Sequence, residues 1–197
     1  MSINQLGRRR VSPEESRAAA VTAARELLKS EGAAAVTLQA VAARVGRTHA
    51  NLLHHFGSAA GLQRALAEDI ARTVSASIES VIARRRTGTA TERDVVDAMF
   101  EAFRREGAGE LIGWIALTRQ REALEPVVST IERIIRVMRM AGDTRPVDRM
   151  TLSLTLLAIG DSLVGEEIAR ATALPRAAIR EVAATQIEAL AGEALRD

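Results

Sequence analysis

The stretch VGRTHANLLHHFG, Val45–Gly57, holds every histidine of the chain: His49, His54 and His55. Three uses compete for such a cluster: a metal site, a catalytic base, or a surface that reads nucleic acid. At about 100° per residue, Leu52, Leu53 and Phe56 gather on one side of a short helix. Ala50, Asn51, His54 and His55 spread over the other side, and His49 stands at the first turn. Helical metal ligands converge when they are four residues apart. The separations here are one, five and six, and the segment contains no Asp, Glu or Cys. A general base needs a nucleophile or an orienting carboxylate within reach, and the helix offers neither. Histidine titrates near neutrality, so a pH sensor stays open. What remains is a helix with one apolar side, one flank of small and hydrogen-bonding residues, and an exposed N-terminal turn. That is how a helix entering a DNA major groove is built.

The residues on either side complete the unit. Thr37 is placed to cap a preceding helix, Thr37–Val45, with Leu38, Val41, Ala42 and Val45 on one face. Gly46-Arg47-Thr48 makes the turn, where Gly46 permits positive φ, and Thr48 caps the second helix, His49–Phe56. Two helices and a tight turn form a helix-turn-helix. Thr37 and Thr48 can each hold a phosphate at a helix N-terminus. Gln39 and Asn51 suit adenine, while Arg47, His49, His54 and His55 can donate to bases or phosphates. Ala50 and Leu53 complete the candidate DNA-binding set, Leu53 through contact with a thymine methyl. A plain three-helix cluster with solvated histidines is the rival reading.

Outward from this unit the pattern stays helical. Ser12-Pro13-Glu14-Glu15 opens a helix with Ser12 as N-cap and Glu15 as its capping-box partner. Gly32 ends that helix. Ser58 starts a longer one that closes at Arg84-Arg85-Arg86, where the arginines suit the negative helix pole or provide a second nucleic-acid contact. Further helices are expected over Thr91–Arg105, Glu110–Gln120, Pro126–Met140, Val147–Thr172 and Pro175–Leu195. MTLSLTLL, Met150–Leu157, alternates like a strand, but no second run exists to pair with it, so it reads as buried helix. The expected fold is all-α.

Composition sets the outer bounds. The chain has 197 residues, 47% hydrophobic and 26% charged, with four prolines and no cysteine. Disulfides, thiolate chemistry and Cys-containing zinc sites are therefore excluded, and no cofactor or metal is expected. The longest apolar tract, Leu152–Val164, is shorter than the roughly 20 residues that span a bilayer. The N-terminus has arginines but no apolar segment after them, so it is not a signal peptide, and a cytoplasmic protein is expected. The formal net charge is +2. Residues 1–72 carry ten Arg/Lys against six Asp/Glu, whereas residues 73–197 carry seventeen against nineteen. A basic front on a mildly acidic remainder fits a nucleic-acid-facing N-terminal domain. Arg8, Arg9 and Arg10 read as a solvated tail or as an arm on DNA phosphates.

The region from Arg17 to about Leu66 resembles the DNA-binding domain of TetR-type transcriptional regulators. The resemblance rests on AARELLKSEG at the end of the first helix, then Thr37, VAARVGRT, LLHHF and SAAGL in order and at the family's spacing. Two positions depart from the pattern. The family's tyrosine before the histidines is Leu53, and its lysine after the serine is Ala59, so a phosphate-contacting hydroxyl and a backbone contact are missing. The resemblance implies a basic arm at 1–11, a DNA-binding domain at 12–70, and a helical effector-binding and dimerisation domain at 71–197. It implies a homodimer built through the last two helices, about 147–172 and 175–195, on a palindromic double-stranded operator. A small-molecule effector would release that operator. Burial of those helices within one chain is the rival account.

Within the implied effector domain, Met99, Phe100, Phe103, Trp114, Leu117 and Leu156 are candidate pocket walls. Arg119, Gln120 and Asp161 are candidate polar points. Asp161, inside an apolar helix, is expected either to hydrogen-bond across a dimer or to face a ligand. Gly107, Gly109 and Gly113 suggest mobility around Trp114. Gly160-Asp161-Ser162-Leu163 spells the GDSL motif of serine esterases, which gives an alternative reading with Ser162 as nucleophile. No histidine follows His55, so the match reads as chance.

Overall fold

A computed structural model of the protein describes residues 12–193. The described residues hold nine α-helices and no strand: α1 Pro13–Glu31, α2 Leu38–Arg44, α3 His49–Phe56, α4 Ala59–Arg86, α5 Glu92–Glu106, α6 Ala108–Leu117, α7 Glu125–Met140, α8 Val147–Ala171 and α9 Ala178–Glu193. Arg8–Arg10 and Leu195 lie outside the described residues. The alternating MTLSLTLL run is inside α8.

Helix starts follow local chemistry. The Ser12 hydroxyl accepts from the Glu15 N–H at 3.0 Å while Glu15 accepts from the Ser12 N–H at 2.8 Å, the reciprocal capping box. Thr37, Thr48 and Ser58 accept from the N–H three residues on at 3.1, 3.2 and 3.0 Å. Thr91 and Asp94 form a second capping box at α5. Gly46 has φ +64°, so the α2–α3 turn takes a left-handed residue that a side chain would strain.

Boundaries shift where tertiary structure intervenes. Helix α6 starts at Ala108 and stops at Leu117, short of the expected Gln120. Arg119 takes φ +60° and a 3-10 turn, Arg121–Leu124, leads into α7. A second 3-10 turn, Ala33–Ala35, joins α1 to α2. Helix α9 begins at Ala178 rather than at Pro175.

Helices α1–α3 clasp the start of α4 through buried Ala24, Leu27, Val41, Leu52, Leu62 and Leu66. The buried cluster continues without a break through Ile70, Val74 and Ile78 of α4, Phe100 of α5 and Ile115 of α6, to Ile187 of α9. The expected boundary at residues 70/71 thus falls inside α4, whose buried side chains belong to one continuous core. Gly109 and Gly113 are crossing points rather than hinges. A Cβ on Gly109 would clash with Ser162 Cβ, and one on Gly113 would meet Leu163 Cδ2 at 3.0 Å. The absent side chains let α6 lie against α8.

Candidate nucleic-acid interface and ligand cavity

Helix α3 anchors itself through Leu52 and Phe56, both buried, the latter with the Arg17 guanidinium 5.3 Å from its ring centroid. Arg47, Thr48, His49, Ala50, Leu53 and His54 are exposed along one continuous edge, and Thr37 and Gln39 are exposed at the start of α2. Among the described residues, Arg47, His49 and His54 make no ion pair, so their charge capacity is not consumed by neighbouring carboxylates. Leu53 is 42% exposed. It does not share the buried side with Leu52 and Phe56, because α1, α2 and α4 together leave that flank of α3 uncovered. His55 is half-buried, edge-on to Phe56 at 6.5 Å between centroids and tilted against His54 at 5.8 Å. It therefore packs as much as it is displayed. Asn51 is half-buried and its Oδ1 has no hydrogen-bond partner among the described residues. Among the described residues, no group of three or more His, Cys, Asp or Glu is placed to hold a metal ion.

Deeper in the molecule, α4–α9 line a partly open apolar cavity of about 110 Å³. Its walls include Val74 and Ile78 of α4, Leu111 of α6, Ile134 of α7 and Leu154 of α8. Met99 and Phe103 of α5 line it, as the sequence suggests. The other expected wall residues are elsewhere. Phe100 is buried in the core, with the Arg180 guanidinium 5.8 Å from its ring centroid. Trp114 packs half-buried against the core, and Leu117 is 83% exposed. Arg119 is exposed at the left-handed residue after α6, and Gln120 lies half-buried beside it. Sequence periodicity does not mark the wall residues of α4, α7 and α8, because an apolar side chain facing a cavity looks the same as one facing a core.

Leu156 and Asp161 belong instead to a groove between α8 and α9. Asp161 is buried and paired within its own chain. Arg176 Nε lies 3.2 Å from Oδ1, and Nη2 donates to the Asp161 carbonyl oxygen at 2.9 Å. Neither a dimer partner nor a ligand is needed to satisfy it. Around this groove the apolar side chains Leu152, Leu156, Val164, Ile168 and Val182 are each at least half exposed, from 50 to 62%. Ser162 donates to the Ala158 carbonyl at 2.8 Å and packs against Gly109. It serves the α6–α8 crossing, and every histidine lies on α3, away from that crossing.

Among the described residues, no helix is long and apolar enough to cross a membrane. Residues 20–66 match the family model described as bacterial regulatory proteins, tetR family. Solved structures share the fold over nearly the whole chain. One is the multidrug binding protein EbrR complexed with imidazole, at 23% identity and TM-score 0.65, covering 93% of each chain. Another is a putative TetR-family transcriptional regulator from Mesorhizobium loti, at 16% identity and TM-score 0.58, covering 90% of this chain and 96% of that one. A third, the superantigen PfiT, has 18% identity and TM-score 0.50 over 89% and 96%. A search of curated proteins found no match. At such identities the solved structures speak for the fold alone, and the family match is confined to residues 20–66, which contain the helix-turn-helix. The match places a tetR-family DNA-binding domain at residues 20–66 of this all-α chain, whose fold the solved structures share.

Proposed function

We propose that the protein is a cytoplasmic repressor that binds a near-palindromic operator as a homodimer and lets go when a small molecule enters the cavity. The single observation that carries this reading is helix α4. Its Leu62 and Leu66 are fixed in the core beneath α3, and its Val74 and Ile78 line the cavity. A ligand that prefers one placement of α4 shifts the population of head positions, and two heads must match the spacing of successive grooves to bind together.

In this reading residues 12–70 form the DNA-binding domain. Thr37 and Thr48 hold phosphate at helix N-termini. Gln39, Arg47, His49, Ala50, Asn51, Leu53, His54 and His55 meet base edges and backbone in the major groove. Residues 71–197 take the effector and dimerise. The exposed apolar side chains of α8 and α9 favour pairing with a second copy, since a surface of that character in water is a docking liability unless covered.

A mobility-shift titration with the promoter region beside the protein's own gene tests the proposal, alongside the mass in solution by light scattering. A dimer that retards this duplex well below the concentration needed for random DNA supports it. A monomer, or equal retardation of both duplexes, opposes it.

A further inference from the structure

The cavity's lining carries chemical information that its location does not. The charged side chains that reach it, Arg85, Glu92 and Arg145, are already spent on one another or on Asp143. Arg85 Nε donates to Glu92 at 2.6 Å, and Arg145 donates to Glu92 at 2.8 Å through Nη1 and to Asp143 at 2.8 Å through Nε. Hydrogen bonding from Arg145 holds the Asp143 carboxyl below its ordinary range, and the same contact raises the Arg145 guanidinium. Two arginines and two carboxylates therefore form a closed set with no net charge. A ligand anion or cation would find no free countercharge and would bear its own desolvation.

Aromatic residues are equally sparse. Phe103 is the one aromatic side chain lining the cavity among the described residues, so no cage for an organic cation exists. The rest is aliphatic side chains and the thioethers of Met99, Met138 and Met150, apart from four hydroxyls, those of Ser75, Thr130, Thr151 and Thr155. Ser75 accepts from Arg133 at 2.9 Å, and Thr151 donates back to the Val147 carbonyl at 2.6 Å. Thr130 and Thr155 make no side-chain hydrogen bond among the described residues, and of these two Thr155 is the buried one, Thr130 being half-buried. Thr155 is 8% exposed, lines the cavity, and its Oγ1 has no partner among the described residues. A buried hydroxyl without a partner is costly unless a ligand supplies one.

Resting on the cavity as the effector site, we propose that the effector is a neutral, flexible aliphatic molecule with one uncharged oxygen function, an alcohol, ester or lactone, received by Thr155. Its chain lies along the aliphatic walls of α4 and α7, and its oxygen exchanges a hydrogen bond with Thr155 Oγ1.

Calorimetric titration of the full-length protein, without DNA, with 1-octanol, octanoate and octyltrimethylammonium tests this. The three probes share a chain and differ in head charge. Octanol is expected to bind about tenfold or more tighter than either ion. Thr155→Val, equal in shape, should weaken octanol about fivefold, and Thr155→Ser should restore it to within about twofold, in line with one net hydrogen bond. Equal or tighter binding of either ion, no octanol binding up to its solubility limit, or no response to T155V overturns the inference. DNA retardation measured on the same preparation fails or succeeds independently, so loss of the repressor reading is distinguishable from loss of this one.

Discussion

The Glu110 carboxylate accepts a hydrogen bond from the Ala33 N–H at 2.7 Å, joining α6 to the turn between α1 and α2. Beside it, Lys29 donates to Glu106 at 3.0 Å, and Leu28 packs 3.0 Å from where a Cβ on Gly107 would fall. Helix α6 presents Ala108, Leu111 and Ile112 to the cavity, so a ligand that displaces α6 acts directly on the segment leading into the helix-turn-helix. Ala33 is buried, and removing its acceptor leaves an N–H without a partner. Glu110→Ala should cost about 1–2 kcal/mol in urea unfolding, and Glu110→Gln less, because the amide oxygen still accepts. Equal stability of all three proteins would show that the contact carries no weight.

Asn51 and Arg47 should fail in different ways. Asn51→Ala is expected to cost about 1–3 kcal/mol on the specific operator and little on random duplex, as for a base contact. Arg47→Ala should weaken both and reduce the slope of log affinity against log salt by about one. Titrations at several salt concentrations separate the two. Parallel losses for N51A on both duplexes would remove Asn51 from sequence reading.

The α8–α9 face offers a test of assembly. Ile168 is 58% exposed. Ile168→Glu should give a folded monomer by light scattering and lower operator affinity on the order of a hundredfold, because two linked heads become one. A dimer that survives the substitution would move the interface elsewhere.

Arg176 neutralises a carboxylate that α8 buries. Arg176→Ala should destabilise the protein by about 3 kcal/mol at most, since Arg176 itself is partly exposed and water can relax into the gap. Replacing both residues by leucine should recover most of the loss. If the double variant is as unstable as the single one, packing rather than charge is at fault.

Glu101 provides a pH signature. Hydrogen bonding from Arg104, supported by Arg105, lowers its pKa from 4.5 to about 2. A lowered folded-state value means that the contribution to stability is complete above 4.5 and disappears as pH falls toward 2. Glu101→Gln should therefore flatten the loss of stability across that window and leave the neutral region little changed beyond a surface-pair effect of about 1 kcal/mol or less. Urea midpoints measured from pH 6 down to pH 2.5 give the comparison.

Much of the architecture is legible because it is local. Ser12, Thr37, Thr48 and Ser58 announce helix starts by a hydroxyl three residues before an unpaired N–H, and all four cap as expected. The helix-turn-helix needs only two short periodic runs and Gly46. What stays hidden is tertiary. Arg176 reaches Asp161 across a turn and 15 residues. Gly109 and Gly113 look like flexibility but are close crossings with α8. Leu53, counted by angle among the apolar residues, is exposed because nothing packs over that flank. The cavity is hardest, since Met99 and Phe103 face it while Phe100, one residue from Met99, faces the core.

Fluorescence anisotropy of labelled duplex at low salt is the most direct measurement: the promoter region beside the gene against a scrambled duplex of equal length. The expected result is a dimer that prefers the promoter duplex by about a thousandfold or more, with the preference reduced by Asn51→Ala. A protein that stays monomeric and leaves both duplexes unbound in dilute buffer would contradict the assignment of α3 as a reader of DNA.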